Sequence, residues 1–119
     1  MSAAAAGALE EVPAVPSGHS LTLQEVLVDQ ATEQSVLRLR YVMPAIAEKS
    51  LGYNDLLADF EHLCETQAVP EALAQPTPIQ QIVISLSDQE TEFGVSNPDA
   101  TQYFEAFNLE TDICIWEGF

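Results

Sequence analysis

The segment from Asn54 to Glu65 constrains the fold more than any other part of the chain, because its apolar residues recur at helical spacing and demand a cover. Leu56, Leu57, Phe60, Leu63 and Cys64 form the expected buried stripe, whereas Asp59, Glu61, His62 and Glu65 are expected to face water. Gly52-Tyr53 leads into this helix, Asn54 is the candidate cap, and Asp55 complements the positive end of the helix dipole. Pro70 is expected to open a further turn through Ala74, and Pro76 with Pro78 enforces an extended connection.

The cover is expected from strands on either side of the helix. Leu21, Leu23, Val26 and Val28 mark a first strand whose alternation changes phase at Gln24-Glu25, the signature of a bulge, and a turn is expected near Gln30–Gln34. In Val36–Val42 the period is clean, with Leu37, Leu39 and Tyr41 on one face and Arg38 and Arg40 on the other. Ile79–Leu86 is rich in β-branched residues, and Ser87-Asp88-Gln89-Glu90 reads as a hairpin into a strand at Thr91–Val95. After Pro98 two periods compete. Ala100, Tyr103, Phe104 and Phe107 fit a helix, while Tyr103, Glu105, Phe107 and Leu109 alternate as a strand, which is the preferred reading. Ile113–Trp116, beyond the turn-like Glu110-Thr111-Asp112, closes a final hairpin. The expected order is β-β-α-β-β-β-β: an α+β fold, mainly an antiparallel sheet with one principal helix packed on one face. Residues 1–19, Ala-rich with Pro13 and Pro16, read as a flexible leader or the remnant of a signal peptide, and residues 20–119 as a single α+β domain.

Charge narrows the function. The chain has 19 acidic and 3 basic side chains for a formal net charge of −16, and its only bases are Arg38, Arg40 and Lys49. Direct binding to nucleic acid or an anionic membrane is excluded, because both need several Lys or Arg against phosphates. A basic protein partner or cations are favoured instead. The charge serves solubility in the simplest reading; in a sharper one the carboxylates imitate a phosphate backbone and block a nucleic-acid-binding protein. Arg38 and Arg40 are a candidate carboxylate site, with pairing to the chain's own acids as the competing fate.

No motif for catalysis is present. A G-x-S-x-G elbow, a phosphate-binding loop, a dinucleotide fingerprint and a C-x-x-C pair are all missing, so no catalytic residue, cofactor or metal ligand is assigned. His62 with Asp59 or Glu65 supplies two of the three or four ligands that zinc needs, and Asp88, Glu90 and Glu92 lack the glycine and ligand spacing of a calcium loop. A small hydrolase would require a pocket that sequence does not reveal. Tyr103, Phe107 and Trp116 are a candidate partner surface if exposed and core if not. Cys64 on the helix and Cys114 in the last strand are either a disulfide or two separate buried thiols.

The segments Ile82-Val83-Ile84-Ser85, Glu92-Phe93-Gly94, Pro98 through Phe107 and Cys114-Ile115-Trp116-Glu117 resemble a family of small uncharacterised alphaproteobacterial exported proteins, as does the helix segment ending His62-Leu63-Cys64. The resemblance spans most of residues 20–119. It implies an exported, periplasmic domain with Cys64 and Cys114 paired, and no established activity; without an intact export signal the alternative location is the cytoplasm. An acetolactate-synthase label on some relatives does not transfer to a chain this small that lacks a thiamine-diphosphate motif. The expected function is that of a small acidic accessory or binding protein without catalysis. The alternatives are an acidic nucleic-acid mimic and a small hydrolase.

Overall fold

Strand β1 (Thr22–Asp29) pairs antiparallel with β2 (Val36–Val42) through a register that slips between Leu23 and Glu25, where the change of phase places a bulge. The computed structural model describes residues 9–30, 35–48 and 51–117, so the turn expected near Gln30–Gln34 lies mostly outside the described residues. Strand β2 next pairs in parallel with β3 (Gln81–Ser87), followed antiparallel by β4 (Gln102–Glu110) and β5 (Ile113–Trp116). The five-stranded sheet runs in the order β1-β2-β3-β4-β5 and is mostly antiparallel. Its one parallel pairing has a plain cause. The chain between β2 and β3 contains the helix, and a helical crossover returns the next strand in the same direction.

The helix begins as a 3-10 turn (Tyr53–Leu56), continues as α1 (Leu57–Leu63), widens to a π turn (Cys64–Ala68) and ends as α2 (Val69–Ala74). Pro70 has no N–H to give a carbonyl one turn back, and the widened turn immediately before it absorbs that interruption. Asn54 is not the cap. Gly52 occupies the capping position, and its N–H donates to the Asp55 carboxylate at 2.8 Å.

Leu56, Phe60, Leu63, Cys64, Ala68 and Ala72 of the helical segment share one apolar cluster with Leu37, Leu39, Tyr41, Ile82, Ile84, Leu86 and Phe107 of the strands. One member of the expected stripe and one residue of the expected wet face exchange roles. Leu57 is 38% exposed, whereas Asp59, expected in water, is only 1% exposed. Residues 56, 59, 60 and 63 stand at i, i+3, i+4 and i+7, so geometry places Asp59 inside the stripe and polarity alone argued for outside. Its carboxylate is satisfied by Ser17, whose N–H donates to Oδ1 at 2.9 Å and whose hydroxyl donates to Oδ2 at 2.5 Å.

The stretch 9–19, expected to form part of a flexible leader, therefore lies against the helix. Val15 is buried, Glu10 N–H donates to Gln67, and Leu23 N–H donates to the Glu11 carbonyl at the open edge of β1.

Tyr41 introduces a pH dependence. Its hydroxyl is buried without a hydrogen-bond partner among the described residues, and burial, aided by the Glu10 charge, pushes its ionisation well above the ordinary value of 10. The unfolded chain gives up this proton near its ordinary value while the folded chain keeps it. Stability from this group is thus complete below that pH and declines as pH rises beyond it. Tyr41→Phe is expected to change stability by no more than about 1 kcal/mol at neutral pH and to flatten the alkaline decline. Urea midpoints of both proteins at about pH 8 and about pH 11 check this; an equally steep decline in the variant would refute it.

Candidate functional site

Strand β4 positions the first of two candidate sites. Its alternation turns Tyr103, Glu105, Phe107 and Leu109 to the same side as Ile82, Ile84 and Leu86, which are their neighbours across the β3–β4 ladder. Glu105 is consequently a carboxylate among core residues, 4% exposed. Its Oε1 accepts a hydrogen bond of 2.6 Å from the Trp116 indole N–H, and its Oε2 is buried with no partner among the described residues. Leaving a buried carboxylate oxygen unpaired is costly, so such an atom marks a place where a donor is missing. Above Glu105 a cleft of about 230 Å³ opens between Leu57, Ala58 and Glu61 of the helix and Phe107 and Trp116 of the strands.

The three aromatic residues that are a candidate partner surface if exposed and core if not separate here. Phe107 is buried in the core, and Tyr103 is half-buried with its ring 6.1 Å from that of Tyr53. Only Trp116 is exposed, at 55%. Other exposed apolar side chains near it in sequence are Ile113 and Ile115 of β5 and Phe104 of β4, all three turned to the opposite side of the sheet by the pleat. Cys64 and Cys114 come together, with their sulfurs at the disulfide distance of 2.06 Å and their Cα atoms 6.4 Å apart. The pair ties the π turn to β5.

The second site lies on the arginine side of the sheet, a cavity of about 340 Å³ whose lining includes Arg38, Arg40, Ser85, Phe93 and Phe104. Both arginines have found acids of the chain itself, as expected: Arg40 pairs with Glu25, and Arg38 lies 3.8 Å from Asp29. Arg40 also donates to the Thr91 carbonyl at 3.0 Å and to its hydroxyl at 2.8 Å, and Gln24 donates to the same carbonyl at 2.7 Å. The ring of Phe93 stands 5.4 Å from each guanidinium carbon. These contacts correct the strand expected at Thr91–Val95. The β3–β4 connection closes where Asp88 N–H donates to the Thr101 carbonyl, and the residues between fold over the arginines instead of pairing. With each guanidinium matched to a carboxylate, and Glu92 also lining the cavity, the local charge does not favour an anion.

No group of three or more His, Cys, Asp or Glu among the described residues is placed to hold a metal ion. Asp59 is engaged with Ser17 and not with His62, and Asp88 accepts from the Thr101 N–H rather than joining Glu90 and Glu92 in a cluster. No helix among the described residues is long and apolar enough to cross a membrane.

The family model that matches this chain covers residues 1–119. The chain belongs to the family of unknown function DUF6497. No curated protein and no solved structure matches it. Membership in DUF6497 brings no chemistry with it, so the functional reading rests on the sites. The sequence passed over Glu105 as one of many carboxylates, although its signal was present: it alternates with Tyr103, Phe107 and Leu109, and a charged residue at an inward position is the informative exception.

Proposed function

We propose that this protein is a small, acidic, extracytoplasmic accessory domain that binds a basic partner and catalyses no reaction. In this reading residues 20–119 form one unit in which the helix covers one face of the sheet, residues 9–19 strap the helix, and a Cys64–Cys114 disulfide holds helix to sheet. The observation that carries the binding role is the disposition of charge. Arg38 and Arg40 are both engaged by acids within the fold, and residues 50–119 contain no Lys or Arg, so the acids there far outnumber the bases within the chain. Such a surface attracts basic partners over the range of a Debye length. Export is supported by the juxtaposed sulfurs, since disulfides persist in oxidising compartments.

Affinity capture from the native envelope fraction tests the proposal. A basic protein is expected to be retained at low salt, released by raising the salt, and unaffected by added duplex DNA. Retention of nothing basic would overturn the proposal. Displacement of the retained protein by DNA would transfer the assignment to a nucleic-acid mimic.

A further inference from the structure

We infer that the cleft between the helix and β5 is a binding site for a single alkyl-linked organic cation, the side chain of an arginine or lysine on the basic partner. The inference rests on the reading of a basic partner and adds the atoms that would recognise it.

Three features converge. Glu105 is 4% exposed, forms part of the cleft and has one carboxylate oxygen without a hydrogen-bond donor, while the other is held by the Trp116 indole. A ligand N–H reaching this carboxylate would supply the missing charge-assisted hydrogen bond. Trp116, more than half exposed, forms part of the wall, and indole is the best aromatic partner for a cation. Glu61 at the rim adds a second negative charge, and Leu57, Ala58 and Phe107 provide apolar walls for an alkyl stem.

Size decides what enters. The volume of about 230 Å³ lies below the roughly 300–1,000 Å³ of pockets for drug-sized ligands, which fits one side chain rather than a cofactor. Charge decides its sign. An anion would meet two carboxylates in a chain of net charge −16, and a neutral alkyl group would leave the Glu105 oxygen unpaired.

Trp116 is the only tryptophan of the chain and touches Glu105, so its fluorescence reports directly on the cleft. Native protein is titrated with butylguanidinium, butylammonium and neutral 1-pentanol at constant ionic strength, with far-UV circular dichroism recorded at each point. Both cations are expected to give a saturable fluorescence change without loss of structure, and 1-pentanol none. Glu105→Gln should weaken cation binding by at least about tenfold, the loss of one charge-assisted hydrogen bond. Ala58→Phe fills the cleft from an exposed helical position and should abolish the response, which keeps the test decisive if Glu105→Gln does not fold. Glu90→Gln, remote from the cleft, should leave it unchanged.

An equal response to 1-pentanol, or unchanged cation binding in folded Glu105→Gln or Ala58→Phe, overturns the site. If a basic partner is captured equally by the native chain and Ala58→Phe while the small cations give no response, the cleft assignment falls and the basic-partner reading stands. If the small cations bind but nothing basic is captured, the cleft assignment stands and the basic-partner reading falls.

Discussion

Replacing Cys64 and Cys114 together by alanine is expected to lower the stability of the oxidised protein by about 4 kcal/mol, because a crosslink over a separation of 50 residues removes that much loop-closure entropy from the unfolded chain. For a chain of this length the corresponding fall in Tm is roughly 15 °C. The sign follows from where the link acts. Both strands nearest the carboxyl terminus lie far from the helix in sequence, and β5 is a short edge strand whose only ladder among the described residues is with β4. Without the link, β5 depends on four residues of pairing. Urea denaturation of the native protein before and after reduction, together with intact mass, measures the effect. Reduction should add about 2 Da and make both sulfurs alkylatable. Two thiols that are already free in protein isolated without reductant, or a stability change below about 1 kcal/mol, would remove both the clamp and the strongest support for export.

Phe60→Ala carries the second large effect, an expected loss of about 3–5 kcal/mol. The ring is fully buried and belongs to the cluster that joins helix to strands, and Tyr53 lies against it at 6.3 Å between centroids. Removing it leaves a cavity inside that cluster which its close-packed neighbours cannot fully close. Leu57→Ala, three residues earlier in the same helix, is expected to cost no more than about 1 kcal/mol, since 38% of Leu57 is already in water. The ratio of the two is the measurement. Periodicity placed both residues in one stripe, and only the structure separates them. Comparable losses in denaturant melts would mean that the cleft beside Leu57 is closed in solution, which would also remove the cation site.

Much of the architecture was legible in local pattern. The bulge in β1, the two faces of β2, the β-branched run of β3 and the strand reading of β4 all follow from side-chain alternation, which acts over a few residues and is written directly in the sequence. The segment after Ser87 was misread for the opposite reason. Thr91 and Phe93 alternate like strand residues, but their partners are Arg40, Gln24 and Arg38, up to 67 positions away, and no local period encodes such contacts.

The same division applies to the sites. Sequence alone determined that an amphipathic helix would need apolar partners, that strands would lie on either side of it in the chain, and that the arginines would share one side of their strand. Tertiary structure decided which carboxylates leave water. Asp59 and Glu105 both occupy inward positions of their elements, yet burial of a charge is tolerable only where a donor arrives from elsewhere in the chain. Ser17 reaches Asp59 from 42 residues away and Trp116 reaches Glu105 from the neighbouring strand. Ser17 donates to both oxygens of Asp59, whereas Trp116 donates to only one of Glu105. That difference, a matter of which side chains the fold happens to bring together, is what turns one buried acid into a strut and the other into a candidate site.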